Sequence, residues 1–215
     1  MSELIDIDWP ELFFIRHGET AWNAEKRYQG QRDIPLNSVG QGQADRNGLV
    51  LRDLLAARGI DPNALDWHAS PLSRARETIM RVRAAFGADL PPVQFDDRLM
   101  EISFGELEGL LHDELPPETA TAPGQRDESY WHFRPNLGEN YADLAKRIGD
   151  FAATLRGPSV IVAHGGIARV MRVLVERAPV GEVINWPPPQ DVVLHFRDRK
   201  LEIVGQQHGG VDAGV

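Results

Sequence analysis

Between Leu12 and Asn23 the chain reads LFFIRHGETAWN. Four apolar residues run straight into an arginine, a histidine and a glycine. A short continuous apolar run suits a strand buried on both faces, as in a parallel sheet covered by helices. Such a strand must deliver Arg16 and His17, two groups costly to bury, to one rim of the sheet. Either they meet water there, or they meet a ligand.

Further runs of the same kind recur along the chain. Leu65–His68, Val93–Phe95, Ser159–Ala163, Val192–Phe196 and Leu201–Val204 read as strands. The last two are parted only by the polar turn Arg197–Lys200, so they form an antiparallel hairpin at a sheet edge. Helical spacing appears over Ser38–Arg58, Pro71–Phe86, Glu139–Leu155 and Gly166–Arg177, with Gly59 as a stop and Pro71 suited to a first helical position. Strands alternating with helices predict a layered α/β sheet, mostly parallel, with an antiparallel edge. At 215 residues the chain suits a single domain, 1–215. The Pro-, Thr- and acid-rich stretch 106–138 reads as an insertion over the sheet, either a lid or a plain surface excursion.

On this scaffold three polar clusters fall at the carboxyl ends of strands. They are Arg16-His17-Gly18, Ser70-Pro71-Leu72-Ser73-Arg74 and His164-Gly165-Gly166. That edge is where open α/β sheets bind ligands. Two of the clusters also open helices, whose free N–H groups favour anions. Taken singly, each histidine reads as a structural residue and each arginine as surface charge. Together they suit a phosphate: guanidinium forks match its oxygens, and a neutral imidazole is a competent nucleophile. A leaving alkoxide then needs a general acid. Glu101, in RLMEISFGELEG, is the candidate, though from spacing alone it is one acid among 32.

Composition narrows the alternatives. The formal charge is −9, which argues against non-specific nucleic-acid binding and attraction to anionic membranes. It leaves room for a locally positive pocket. There is no cysteine, which removes disulfides, thiolate nucleophiles and cysteine-based zinc sites. A metal site built from His17, Glu19 and His164 is the remaining metal reading, and a weak one. No apolar run reaches the ~18 residues of a membrane span, and the N-terminus lacks a signal-peptide pattern. The expectation is a cytoplasmic protein, with no membrane or nucleic-acid partner. Its oligomeric state is not readable.

The ordered set IRHGETAWN, YQGQRDIPLNSVGQGQA, SPLSRARET, LMEISFGELEG and VAHGG resembles the histidine phosphatase superfamily, the phosphoglycerate-mutase-like proteins. The resemblance implies a three-layer α/β/α sandwich and a phosphohistidine intermediate. On the matching positions His17 is the nucleophile, and Arg16, Arg74 and His164 complete the phosphate pocket. Glu101 acts as acid, then base. Asn23, Thr20 and Gln29 at the mouth, with Gly165, are the expected substrate-binding positions. No cofactor and no metal are implied.

Three departures from the family pattern bear on substrate rather than on chemistry. Ile102 follows Glu101 where mutases carry a basic residue, Leu107 replaces a usual tryptophan, and Asn140 stands where a Gly-Glu-Ser stretch has serine. The expectation is a phosphomonoesterase acting on a small phosphorylated metabolite. The alternatives are a cofactor-dependent phosphoglycerate-type mutase and a non-catalytic phosphate-binding protein. Specificity is expected from the mouth and insertion, among Arg27, Arg32, His112, Arg126, the run Tyr130–Phe133 and Arg134. The aromatic run either clamps a sugar or base, or packs the insertion onto the core. His68, His195 and His208 read as structural or solvated, and Pro187–Pro189 as a stiff connector.

Overall fold

A computed structural model of the chain describes residues 8–87, 89–115 and 126–205. Its centre is a six-stranded sheet in the order β3-β2-β4-β1-β5-β6. The strands are β1 (Leu12–Arg16), β2 (Asp66–Ala69), β3 (Val93–Phe95), β4 (Ser159–Ala163), β5 (Val193–Arg197) and β6 (Lys200–Val204). The pairs β1–β4, β2–β4 and β2–β3 are parallel, with Ile15 beside Val162 and Ala69 beside Val162 on the other flank. β5 and β6 join antiparallel, Phe14 facing Leu194 and Phe196 facing Leu201. The expected edge hairpin is therefore present.

Alternating side chains on each strand divide the core in two. Leu12, Phe14, Ile161, Ala163, Leu194 and Phe196 face α4 (Tyr141–Ala152) and α5 (Gly165–Met171). Phe13, Ile15, Val160, Val162, Trp67 and Ala69 face α2 (Ser38–Ala57) and α3 (Ser73–Ala84). Helices thus cover both faces, making a three-layer α/β/α sandwich. Leu12 to Ile15 are all fully buried, each contributing about 1.5–3 kcal/mol relative to exposure. Two short helices complete the fold: α1 (Ala21–Ala24) and α6 (Val180–Val183).

Several element ends differ from the sequence-based expectation, for local reasons. α3 starts at Ser73 rather than Pro71, because the Ser73 N–H finds its acceptor in Asp33 Oδ1 at 2.7 Å. Ser70 Oγ meanwhile accepts from Leu72 N. α4 starts at Tyr141 because Asn140 caps it, with Oδ1 taking the Asp143 N–H and Asp143 returning the bond. Asparagine caps as well as serine does, so the departure at Asn140 preserves the local chemistry. The helix expected to run to Arg177 changes to a π-helical turn over Arg172–Glu176 and ends on Arg177 at φ 63°.

The described parts of the insertion are short 3₁₀ turns, at Gly105–Leu107, His112–Glu114 and Glu128–His132. Tyr130 and Trp131 are buried, and Trp131 stacks on Tyr141 at 5.4 Å. In this structure the aromatic run packs against the core. The centre of the insertion, 116–125, and His208 lie outside the described residues.

Candidate active site

The parallel strands β2, β4 and β1 are adjacent, so their carboxyl ends share one rim. The backbone continues the sheet just past each strand: His17 N donates to Ala163 O at 2.9 Å, and Ser70 N to Val162 O at 3.0 Å. The rim therefore gathers residues 16–18, 70–74 and 164–166, as the topology requires. Arg16, His17, Arg74 and His164 are all buried there, and Glu101 is nearly so.

His17 is the centre of the group. Its Nδ1 lies 2.7 Å from the Gly18 carbonyl. A ring nitrogen in that position must carry the proton, so the lone pair resides on Nε2. Burial pushes the His17 pKa well below the ordinary imidazole value, and the Arg74 and Arg16 charges push it further; the Gly18 hydrogen bond works the other way. The ring is thus neutral at neutral pH. His164 lies beside it, with ring centroids 5.1 Å apart. Its Nε2 meets Ser70 Oγ at 2.7 Å, and Nδ1 has no partner among the described residues. Burial, followed by Arg74, His17 and Arg16, likewise lowers its pKa well below 6.5.

The two guanidiniums are fixed from outside the pocket. Arg16 Nη1 donates to Pro188 O at 2.5 Å, so the proline run read as a connector also anchors a site residue. Arg74 donates to Arg32 O at 2.7 Å and Gly30 O at 2.8 Å. Burial lowers the Arg74 pKa to about 10, against the pull of Glu101 and Asp33. It remains a cation at neutral pH. The loop that receives it is held by Glu108, whose Oε1 accepts from Gln31 N and Phe104 N.

Glu101 reaches the first turn of α5. Its carboxylate accepts from Gly166 N at 3.1 Å and from its neighbour Ile102 N at 2.9 Å. Glycine at 166 leaves the Glu101 carboxylate its place, since a Cβ there would sit 2.5 Å from Glu101 Oε1 and push it aside. Gly18 is constrained by helix packing. A Cβ on it would lie 2.2 Å from the Gly40 carbonyl, so its missing side chain lets α2 close on the loop after β1.

The mouth residues are brought near but are used unevenly. Thr20 Oγ1 caps α1, accepting from Asn23 N at 3.1 Å, so its hydroxyl is already engaged. Asn23 Oδ1 accepts from Thr20 N and from Gln190 Nε2 at 3.3 Å. Gln29 is buried with Oε1 unpartnered among the described residues, and Gly165 packs against the Arg16 guanidinium. Arg126, within the 106–138 stretch, is buried, donating to Tyr28 OH at 2.9 Å and lying 4.2 Å over the Tyr130 ring. Arg134 pairs with Asp143, and Arg27 holds Gly109 O. Glu19 accepts from Asn37 Nδ2 at 2.7 Å, and among the described residues no three histidine or acidic side chains are placed to hold a metal ion. The His17–Glu19–His164 metal reading is thereby set aside.

Sequence reasoning passed over Gln190, and gave no role of their own to Ser70 and Thr78, the two ends of SPLSRARET. Gln190 Nε2 donates to His17 O at 3.0 Å across 173 positions. Thr78 Oγ1 accepts from Gly18 N and donates to Arg74 O. No motif marks Gln190, because it acts through a partner distant in the chain.

Comparison with known proteins agrees with this geometry. The family model described as the histidine phosphatase superfamily, branch 1, matches residues 12–207. The chain belongs to that superfamily. Among its relatives, a glucosyl-3-phosphoglycerate phosphatase of Mycolicibacterium vanbaalenii is 33% identical over 192 residues, covering 82% of this chain and 77% of the relative. Phosphoglycerate mutase-like protein 4 of Arabidopsis thaliana is 35% identical over 188 residues, 80% of this chain and 73% of the other. The crystal structure of a phosphoglycerate mutase from Thermus thermophilus superposes with a TM-score of 0.66 at 29% identity, covering 91% of this chain and 98% of that one. This histidine phosphatase superfamily member thus has relatives named for hydrolysis and for mutase activity alike.

Proposed function

We propose that the chain is a phosphomonoesterase that hydrolyses a small phosphorylated metabolite through a phosphohistidine on His17. The observation that carries this reading is the His17 ring, whose Nδ1–H is spent on Gly18 O so that Nε2 is the attacking atom. Nε2 attacks phosphorus in line, the P–O bond to the alcohol breaks, and Glu101 supplies the proton to the leaving oxygen. Glu101 then takes a proton from water, whose oxygen attacks phospho-His17 and releases inorganic phosphate. Arg16, Arg74 and His164 stabilise the equatorial oxygens throughout. Two guanidiniums match a phosphate dianion in charge, a local positive site on an otherwise acidic protein. Asn23 and Gln29 are assigned to the substrate mouth.

Hydrolysis is favoured over mutase activity by position 102. Ile102 is buried in the core, so position 102 offers no basic side chain to hold a second acid group. The test is turnover of p-nitrophenyl phosphate without metal or bisphosphoglycerate, together with His17→Ala. The variant is expected to lose hydrolysis and the acid-labile phosphoryl label. Normal hydrolysis by His17→Ala refutes the nucleophile assignment. Phosphoglycerate isomerisation without p-nitrophenyl phosphate hydrolysis points to a mutase. Tight phosphate binding with no turnover of any ester points to a binding protein.

A further inference from the structure

Glu101 must be held to within about half an ångström to protonate a leaving oxygen, yet it lies on irregular backbone. Residues 101–104 belong to neither helix nor strand. Their polar groups therefore need partners from elsewhere. One ion pair, Arg147 with Glu139, holds the backbone from Arg98 to Ser103. Arg147, from the middle of α4, donates through Nη1 to Arg98 O at 2.8 Å and Met100 O at 2.7 Å. Its Nη2 reaches Glu101 O at 3.3 Å, and Gln31 Nε2 reaches the same oxygen at 3.0 Å. The guanidinium is oriented in turn by a two-point pair with Glu139, Nε to Oε1 at 3.1 Å and Nη2 to Oε2 at 2.8 Å. Glu139 closes the clamp. Its Oε2 accepts from Ser103 N at 2.9 Å, and its own N–H donates to Ser103 O at 2.8 Å.

We infer that Arg147, seated on Glu139, is a positioning residue that sets the reach of the Glu101 carboxyl to the leaving-group oxygen. The inference rests on the reading of Glu101 as general acid. Arg147 grips the backbone side of Glu101, while the carboxylate points away toward Gly166. An ion pair this close to the surface contributes little to stability by itself. Here it fixes three carbonyls and an N–H of the one loop that carries the acid. A lysine at 147 keeps the charge but cannot span these acceptors and the carboxylate together.

The test compares kcat and KM of the full chain across aryl phosphates, from p-nitrophenyl to unsubstituted phenyl phosphate. A better leaving group needs less protonation. Arg147→Lys is expected to lose about 10-fold or more additional kcat on phenyl phosphate relative to p-nitrophenyl phosphate, as for a general acid misplaced by a fraction of an ångström. KM should change little. Glu101→Gln is expected to show the same differential, larger, and Arg147→Lys should add nothing to it in the double variant. Equal loss on all esters, loss in KM alone, or wild-type behaviour of Arg147→Lys overturns the inference. If Glu101→Gln shows no differential, the acid assignment itself falls. Should Arg147 variants fail to fold, Glu139→Gln, which keeps an acceptor for Ser103 N–H, must show the differential. Uniform loss in that variant also overturns the inference.

Discussion

At the scale of single residues, the site is set by where protons are placed. His17 and His164 are both neutral, kept so first by burial and then by the neighbouring guanidiniums. His17, the proposed nucleophile, therefore keeps its lone pair on moderate acidification, when a solvated histidine would already be charged. Glu101, the proposed general acid, is held by an equally local constraint at Gly166. Gly166→Ala places a methyl 2.5 Å from Glu101 Oε1, and the carboxylate is the group that must move. The expected result is a fall in kcat of about 100-fold, with the circular dichroism of the folded protein retained. Unchanged kcat in a steady-state assay would show that the acid acts from another position.

At the scale of elements, helix starts and strand ends decide what reaches the rim. Asn140 caps α4, the helix that carries Arg147. Asn140→Ser should change stability by no more than a few tenths of a kcal/mol, whereas Asn140→Ala should cost about 1 kcal/mol. Urea melts of the two variants measure the difference. Elements of this kind were readable from the chain because their signals are local. The apolar run Leu12–Ile15 marked a strand buried on both faces, and the alternation of runs and helical patterns marked the layers. The carboxyl-end rule placed Arg16, His17, Arg74 and His164 together. Other features were not readable, since the contact that creates them is remote. Pro71 suited a helix start, but Asp33 moved the start to Ser73. Nothing near Gln190 or Arg147 shows that one meets the His17 carbonyl and the other the loop of Glu101. Glu101 itself needed the family pattern, as its neighbours resemble any acidic turn.

At the scale of the molecule, burying imidazoles makes stability depend on pH. His17, His164, His68 and His112 all hold pKa values below 6.5, with His112 at about 4. Below pH 6.5 the unfolded chain binds protons that the folded chain does not, so acidification favours unfolding. Each fully buried ring contributes a loss of up to about 1.4 kcal/mol per pH unit from 6.5 down to its folded value. Thermal melts between pH 7.5 and 5 should fall accordingly. Saturating phosphate should reduce the slope, because a dianion beside His17 and His164 raises their proton affinity. A flat profile without phosphate would contradict the burial of these rings.

The contacts to the 187–190 stretch have a further consequence. Pro188 O accepts from Arg16, and Gln190 Nε2 donates to the carbonyl of His17, across 172 and 173 positions. The proposed nucleophile is thus seated by a segment far along the chain. During synthesis or refolding, the β1 loop can exist long before it can perform chemistry. Turnover becomes a report on completion: a chain that has gathered β1 to β4 but not laid down the proline stretch holds every reactive residue and lacks the seat for two of them.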